Sequence, residues 1–592
     1  MARPDPHSFT QDTQPVTRHV EWEARVDFST RRLDSATTLH FQNASPSATS
    51  IDLDTRGLAI ASVSDPVTAV AFAWSLAPPD PILGAKLTVQ LPPGALAVRI
   101  RSTTSPEASA LQWLEPAQTL GGQKPYLFSQ CQAIHARSLV PCQDTPARRV
   151  TVGATLRVPS NLVAVMAAAP RGHVTHDDGT TTFRFEMPQP IPPYLFAFAV
   201  GDLASKDLSP RARVWAEPGM LEAAAWEFAQ VERHLDAAEA LFGPYDWERF
   251  DLLVMPPSFP YGGMENPRLT FLTPTLLAGD RSLVNVLAHE LAHSWTGNLV
   301  TNVNAEHFWL NEGFTVFAER RILEVLEGPE MAQLHAALGR TSLDAAVAHF
   351  EKAGTPELSR LRVKLEGVDP DEAFSPVPYE KGYLLLRAIE DTIGRPAFAT
   401  FLKSWLASHR FGSASTDDFI AHLERAHPGV LARVNGPAWF DAPGVPDGAP
   451  KIASKRLDAV RALVGSVPET DQVKHWSTAE WQLFLEGSPR PFAAAQLAEL
   501  DARFALSTAK NAELHVGWLL LALGSGSTSV RPQVEALVER VGRMKYLKPI
   551  FTALLARADT KAFARTLFTR VQSKWHPIAQ QVIAGLLVGA GQ

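Results

Sequence analysis

The sequence has 592 residues, of which 45% are hydrophobic and 20% charged, and its formal net charge is −7 at pH 7. This composition excludes a largely disordered chain, and the acidic balance disfavours a nucleic-acid partner. The opening residues lack the apolar core of a signal peptide, and no run reaches the roughly 18–20 apolar residues of a membrane span, so we expect no membrane association. Two cysteines, Cys131 and Cys142, exclude a disulfide framework and favour the cytoplasm.

At about 100–200 residues per domain, this length predicts three or four domains. Residues 1–205 carry the alternation of apolar and polar residues that is typical of antiparallel β-sheets with one buried face. The alternation is clearest in two segments separated by a Pro-Pro-Gly turn: Leu87, Val89 and Leu91, then Leu96, Val98 and Ile100. We therefore expect an N-terminal β-sheet domain over this range.

Residues 206–440 have a mixed pattern, in which a short apolar strand at residues 251–255 precedes long helical segments. Residues 441–454 are rich in proline and glycine and predict a linker. Residues 455–592 are helical in periodicity, as where Val534, Leu537, Val538 and Val541 recur at helical spacing. The sequence thus predicts a central catalytic domain, a linker and a C-terminal α-helical domain.

The strongest chemical signal is the His-Glu-Leu-Ala-His run at residues 289–293, the H-E-x-x-H pattern of zinc peptidases. Residues four apart share one face of a helix, so both imidazoles can reach one ion. A catalytic zinc needs a third protein ligand, and Glu312, with eighteen residues between it and His293, is the next candidate. We expect His289, His293 and Glu312 to bind one Zn²⁺ per chain.

Three further side chains lie close to these ligands in the sequence. Glu290 is the expected general base, which takes a proton from the attacking water and returns it to the leaving amine. Glu319 lies two turns beyond Glu312, and is either a carboxylate that orients a ligand histidine or an ordinary surface acid. For His307 we expect a structural role.

A glycine-rich segment, Gly262-Gly263-Met264-Glu265-Asn266, precedes the zinc motif. Alone it is compatible with a glycine turn and a solvated acid, although two glycines also let a backbone approach a ligand closely. Together with the zinc motif and the later Asn-Glu-Gly, it resembles the gluzincin aminopeptidases. The resemblance implies that Glu265 binds the free α-amine of a peptide beside Gly262, Gly263 and Met264, which sets the cut one residue in.

The resemblance narrows to the leukotriene A4 hydrolase family and covers the chain from about residue 15 to 592. It rests on further motifs at residues 126–135, 141–146, 270–277, 377–382 and 542–545. It implies an α+β multidomain fold with a β-rich, saddle-like N-terminal domain, a thermolysin-like catalytic domain and an α-helical C-terminal domain. The active site would lie where the three domains meet.

The resemblance also implies roles for residues that the bare sequence leaves open. Gln132 would help to hold the α-amine, with Gln130 nearby. Tyr379 would donate a hydrogen bond to the tetrahedral oxyanion. Asp371 would line the pocket, where the family links this position to epoxide opening and to recognition of an N-terminal arginine.

Arg543 and Lys545 match the basic pair that receives the terminal carboxylate of the substrate. Without the resemblance, these two residues are typical of a solvated helix face. One position departs from the family pattern, because Phe374 stands where the mammalian enzyme has a pocket tyrosine associated with covalent modification by the lipid epoxide. The missing hydroxyl leaves peptidase chemistry intact and disfavours lipid-epoxide chemistry.

The sequence therefore predicts a zinc metallo-aminopeptidase that acts on short peptides with a free N-terminus, as a cytoplasmic monomer. Two alternatives stay open. One is an enzyme whose second or main activity is hydrolysis of a leukotriene-type epoxide. The other is a non-catalytic peptide-binding scaffold, against which the intact set of ligands, Glu290 and Tyr379 argues.

Overall fold

The N-terminal part of the chain is built from strands, in a computed structural model that describes residues 5–42, 49–283 and 285–589. The strands are β1 (Val16–Asp27), β2 (Arg32–Gln42), β3 (Ser50–Thr55), β4 (Ala59–Ser64), β5 (Trp74–Leu76), β6 (Ala85–Gln90), β7 (Ala97–Thr103), β8 (Leu111–Leu114), β9 (Tyr126–Ser129), β10 (Val150–Pro159), β11 (Val163–Met166), β12 (Ala169–Thr175), β13 (Thr180–Ile191) and β14 (Phe198–Gly201). They form sheets in the orders β12-β13-β10-β1-β2-β7-β4, β11-β14-β9-β8 and β3-β6-β5. The pairing is antiparallel except between β1 and β10.

The alternating pattern places one face of these strands in the core. Leu87 and Val89 of β6 and Val98 and Ile100 of β7 are fully buried. The prediction is wrong for Leu96, whose side chain is 66% exposed. Leu96 lies in the turn before β7, where the strand's inward–outward alternation has not begun.

The central part of the chain packs helices around a small mixed sheet. The strands of this part are β15 (Ala204–Asp207), β16 (Arg213–Ala216), β17 (Asp251–Val254), β18 (Gly263–Met264), β19 (Leu269–Leu272), β20 (Val300–Asn302) and β21 (Gly412–Ala414). The last two, β20 and β21, pair in parallel as a separate two-stranded sheet. The helices of this part are α1 (Leu221–Glu227), α2 (Val231–Phe242), α3 (Asn285–Ala292), α4 (Trp309–Glu327), α5 (Pro329–Ala353), α6 (Val377–Ile393), α7 (Arg395–Ser408), α8 (Thr416–Ala426), α9 (Val430–Arg433) and α10 (Gly436–Phe440). The sheet order β15-β16-β17-β19-β18 has parallel β16, β17 and β19 at its centre.

The C-terminal part is helical. Its helices are α11 (Lys455–Leu463), α12 (Thr470–Val473), α13 (Thr478–Gly487), α14 (Ala494–Phe504), α15 (Ala512–Gly524), α16 (Arg531–Arg540), α17 (Met544–Leu555), α18 (Ala558–Val571) and α19 (Pro577–Gly589). Val534, Leu537 and Val538 are buried in α16, as their spacing predicts, whereas Val541 is half-buried because the helix ends at Arg540. Residues 441–454, all described, contain no helix or strand.

Each of the three parts has its own hydrophobic core. The predicted α+β architecture, with a β-rich N-terminal domain, a central catalytic domain and a helical C-terminal domain, is confirmed. The domain bounds themselves stay a prediction, and the proposed boundary after residue 205 falls inside β15, which pairs with β16. Among the described helices, none has the length and hydropathy that a membrane-spanning segment needs.

Candidate active site

A cavity of about 2300 Å³ opens where the three domains meet. All three domains contribute to its wall: Gln132 and His135 from the N-terminal domain, residues of α3, α4 and α6 from the central domain, and Arg543 and Lys545 from the C-terminal domain. The predicted site residues therefore converge on one space, although they come from segments more than 400 residues apart.

The predicted metal ligands face one another across two helices. His289 lies on α3, and His293 directly follows the last residue of that helix, with its amide still donating to the carbonyl of His289 at 3.2 Å. Helix α4 presents Glu312. The two Nε2 atoms are 3.2 Å apart, and Glu312 Oε2 lies 3.4 Å from Nε2 of His289 and 3.6 Å from Nε2 of His293. Ligands held tetrahedrally at about 2.0–2.1 Å from zinc stand about 3.3 Å from each other, which these distances match.

The hydrogen bonds behind the ligands aim three lone pairs at one point. His289 Nδ1 donates to Glu319 Oε2 at 3.0 Å, and His293 Nδ1 donates to the carbonyl of Thr296 at 3.0 Å. Since each Nδ1 carries the proton, both Nε2 atoms are acceptors. Glu312 Oε2 is buried and accepts no hydrogen bond from the described residues. Acceptors this close need a cation between them, so the site fits zinc.

Glu290 points from α3 towards the glycine-rich strand. A Cβ added to Gly263 would lie 2.5 Å from Cδ of Glu290 and 2.7 Å from its Cγ, so the close approach requires glycine. Burial, reinforced by the nearby carboxylates of Glu265 and Glu312, raises the pKa of Glu290 well above its ordinary value. A carboxylate that holds a proton readily suits a group that accepts and returns one.

Glu265 lies beside this carboxylate and is almost fully buried. Gln132 Nε2 donates to Glu265 Oε1 at 3.4 Å, and Asn298 Nδ2 donates to the carbonyl of Glu265 at 2.7 Å. Burial raises the pKa of Glu265 to about 7. A buried carboxylate without a cationic partner is costly, so this group is suited to pair with an incoming ammonium.

Gln130 does not take the place that the resemblance implies. Its side chain is buried, it is absent from the cavity wall, and its Nε2 donates to Met264 Sδ at 3.0 Å. β9 ends at Ser129, and the chain turns so that Gln130 points behind Met264 while Gln132 points into the cavity. Gln130 therefore supports Met264 rather than contacting the cavity.

Tyr379 is brought to the ligands by a close contact between α4 and α6. A Cβ on Gly313 would lie 2.8 Å from Cα of Gly382, so glycine at both positions lets the two helices touch. The Tyr379 ring stacks on His289 with centroids 6.2 Å apart, and burial raises the pKa of its hydroxyl well above the ordinary value. Tyr379 is thus a proton donor at neutral pH, beside the candidate metal ligands.

Phe374, which replaces the pocket tyrosine of the family pattern, lies in the cavity wall and is 52% exposed. Its ring packs against Tyr379 and Phe308 with centroids 5.7 Å and 6.1 Å apart. The aromatic contact with Tyr379 is therefore present, and the hydroxyl is not.

The basic pair shares a partner that sequence reasoning missed. Lys545 Nζ donates to Glu513 Oε1 at 2.7 Å, and Arg543 lies 3.5 Å from the same oxygen. Although burial opposes it, the charges of Lys545 and Arg543 lower the pKa of Glu513. Arg543 also receives support from Thr275 and Tyr546, and its guanidinium lies against Gly262.

Asp371 lines the cavity and is held by a second residue that was not predicted. His135 Nε2 donates to Asp371 Oδ2 at 2.7 Å, and Arg56 donates to His135 Nδ1 at 3.1 Å.

Two other residues near the ligands in the sequence have separate roles. Glu319 orients His289, which is one of the two roles predicted for it. His307 bonds Thr416 and does not line the cavity. His135 lies within the family motif at residues 126–135, whereas no local pattern marks Glu513.

Three family profiles match consecutive parts of the chain: the peptidase M1 N-terminal domain at residues 16–195, the peptidase family M1 domain at 226–435 and the leukotriene A4 hydrolase C-terminal domain at 476–587. The chain is 38% identical to leukotriene A-4 hydrolase of Xenopus laevis, with 98% of both chains covered. It is 34% identical to leucine aminopeptidase 2 of Pyricularia oryzae, covering 98% of this chain and 97% of the relative.

A solved structure has the same fold over nearly the whole length. Yeast leukotriene A4 hydrolase in complex with bestatin superposes with a TM-score of 0.91 at 31% identity, covering 98% of this chain and 97% of that one. The full-length matches, together with a histidine–histidine–glutamate site that fits zinc, show that this chain is a zinc metallopeptidase of family M1, in the branch that carries the leukotriene A4 hydrolase C-terminal domain.

Proposed function

We propose that the protein hydrolyses the first peptide bond of short peptides and anchors them by the free N-terminus. The observation that carries this proposal is Glu265, a buried carboxylate in the cavity wall with Gln132 at its side, next to Glu290 and His293. A charge-assisted bond to the α-ammonium would fix the substrate there and leave room for one side chain before the scissile bond.

His289, His293 and Glu312 would hold one zinc ion per chain. When bound, zinc supplies a Lewis acid that polarises a carbonyl and makes water more acidic. The chain itself would orient the two imidazoles through Glu319 and Thr296. It would also leave the third ligand atom, Oε2 of Glu312, free of hydrogen bonds from described residues.

Glu290 would move the proton and Tyr379 would stabilise the charge. The raised pKa of Glu290, which burial causes, suits acceptance of a proton from the attacking water and its delivery to the leaving nitrogen. The Tyr379 O–H would donate to the oxygen that becomes negative in the transition state. The ring contact with His289 holds Tyr379 beside the candidate metal ligands.

Arg543 and Lys545 would receive the substrate's carboxylate, which limits the substrates to short peptides. Both cations lie near Glu513 Oε1, and Arg543 is the better placed because its guanidinium also faces Gly262. The Glu265 carboxylate would attract the ammonium of a peptide and the Arg543 guanidinium its carboxylate, which would orient the peptide. Two unpaired cysteines favour a cytoplasmic location, and a monomeric state remains our expectation.

Epoxide hydrolysis is the second candidate, because the full-length relatives include a protein named leukotriene A-4 hydrolase. Phe374 argues against it as the main activity, since the position provides ring contact with Tyr379 and no hydroxyl. Turnover of an amino-acid amide, a tripeptide and a leukotriene-type epoxide by one zinc-loaded preparation tests the proposal. We expect peptide and amide turnover to exceed epoxide turnover by far. Epoxide turnover at the peptidase rate, yielding one defined diol, would contradict it.

A further inference from the structure

Residues 5–10 form an N-terminal arm that is unusually buried for its polarity. Asp5, His7, Ser8 and Thr10 are each at most 4% exposed. Polar side chains buried to this extent are mostly hydrogen-bonded, so the arm is expected to have specific partners. Nδ1 of His7 makes no hydrogen bond to the described residues and lies 3.7 Å from Asp5 Oδ1.

One set of partners anchors the arm to the N-terminal domain. The fully buried Arg137 donates to the carbonyl of His7 at 2.7 Å. Asp54 accepts from the hydroxyl of Ser8 at 2.6 Å and from the amide of Phe9 at 2.8 Å. Charged partners on both sides hold the arm in one position.

The His7 side chain extends from this anchored arm to the catalytic domain. Its Nε2 donates to the carbonyls of Leu365 and Val368, at 3.0 Å and 2.9 Å. These two residues close a turn, in which the amide of Val368 donates to the carbonyl of Leu365. The turn lies within residues 361–376, here called the pocket loop. Leu365, Asp371 and Phe374 of the pocket loop line the cavity.

The same loop is tied a second time to the N-terminal domain. Asp371 accepts from His135, which Arg56 in turn holds in the tautomer that carries its proton on Nε2. His7 and His135 therefore hydrogen-bond to the pocket loop at two places, the turn at residues 365–368 and Asp371, which are at most six residues apart. Beyond them the loop carries Phe374 to the ring of Tyr379.

We propose that His7 is a positioning residue that sets the shape of the pocket for the substrate's first side chain, acting through the pocket loop. The inference rests on the proposed function, in which the N-terminus of the substrate binds at Glu265 in the cavity that Asp371 and Phe374 of this loop also line. Without the His7 donor, the buried carbonyl of Leu365 and the half-buried carbonyl of Val368 lose their link to the arm, and the loop can settle in other positions. His289, His293 and Glu312, on and directly after α3 and on α4, are not contacted by His7 or by this loop's bonds to it.

The test compares His7→Leu with His7→Gln. Leucine keeps the apolar bulk and removes the donor, whereas the amide nitrogen of glutamine can occupy the place of Nε2. His173→Leu, at an exposed position on β12, is the matched control. The readout is the ratio of kcat/KM for two tripeptides that differ only in the first residue, arginine or leucine. This ratio does not depend on the fraction of active enzyme.

We expect His7→Leu to change the ratio and raise KM by about two- to tenfold, the range that one hydrogen bond supports, with kcat and zinc content unchanged. His7→Gln should restore the ratio, and His173→Leu should leave it unaltered. If His7→Leu does not fold, His7→Asn, whose amide falls short of the carbonyls, should give the same change.

Asp371→Ala separates the two possible failures. A wild-type ratio in the His7 variants, when Asp371→Ala shifts it, overturns the role of His7 and leaves the pocket assignment standing. A ratio that neither change moves overturns the pocket assignment, and the inference with it. A fall in kcat for both peptides at constant KM and constant ratio would show that His7 only stabilises the fold, and would also overturn the inference.

Discussion

Gly263→Ala perturbs the proposed general base without touching a metal ligand. The added Cβ would lie 2.5 Å from Cδ of Glu290 and 2.7 Å from its Cγ. Carbon atoms that are not bonded stay about 3.5–4.0 Å apart, so the carboxylate must move by about 1 Å. The strand cannot retreat instead, because Gly263 is paired with Leu272 in the sheet.

The size of the effect follows from this displacement. A misplacement of about 1 Å at a reacting group costs about 10²-fold, and complete loss of general acid–base catalysis costs about 10²–10⁴-fold. We therefore expect kcat to fall by about 10²-fold, equivalent to about 2.7 kcal/mol of transition-state stabilisation. Zinc content should stay the same, and overpacking should cost about 1–3 kcal/mol of folding stability.

The assay is steady-state hydrolysis of a fluorogenic amino-acid amide, with metal analysis of the same preparation. Gly585→Ala is the matched control, because Gly585 lines the same cavity and an added Cβ there meets nothing within 4 Å. A Gly263→Ala enzyme whose kcat is within severalfold of wild type would refute the role given to Glu290.

Two further predictions concern the metal and acid stability. Glu319→Ala removes the acceptor of His289 Nδ1 and should weaken zinc binding by about 10–100-fold in a chelator competition. Glu319→Gln keeps an acceptor and should weaken zinc binding less. Equal zinc affinity in the wild type and both variants would contradict the orienting role of Glu319. Burial lowers the pKa of His576 to about 3. The unfolded chain therefore binds a proton below about pH 6.5 that the folded chain does not, and stability falls as the pH drops from there towards 3. His576→Asn keeps the acceptor for the Ile578 amide and should reduce the loss of Tm between pH 7 and 5; an unchanged loss would show that His576 does not contribute.

The sequence predicted the site most accurately where spacing along one helix determines geometry. His289 on α3 and His293, one residue beyond its end, are four residues apart and so face the same way, and their separation from Glu312 suits the next helix. The strands of the N-terminal domain were predictable for the same reason, since alternation with period two selects a buried face, and the pattern failed at Leu96 because the strand starts one residue later.

Partners distant in sequence could not be predicted. Glu513 lies some 30 residues before the basic pair and shows no local pattern, so only packing of α15 against α17 reveals it. The direction of Gln130 depends on the turn after β9, and His7 reaches carbonyls more than 350 residues away. Such contacts depend on how domains pack, which periodicity within one segment does not determine.

The central claim is that Glu265 selects a free amino terminus. The most direct measurement is mass spectrometry of the products from a tripeptide and from its N-acetylated form. Acetylation removes the ammonium and leaves the buried Glu265 carboxylate without its partner, which costs more than a lost contact. We expect the free tripeptide to lose its first residue and the acetylated one to be nearly inert, and Glu265→Gln to retain zinc but lose most activity on the free form. Internal cleavage of the acetylated peptide at a comparable rate would contradict the account.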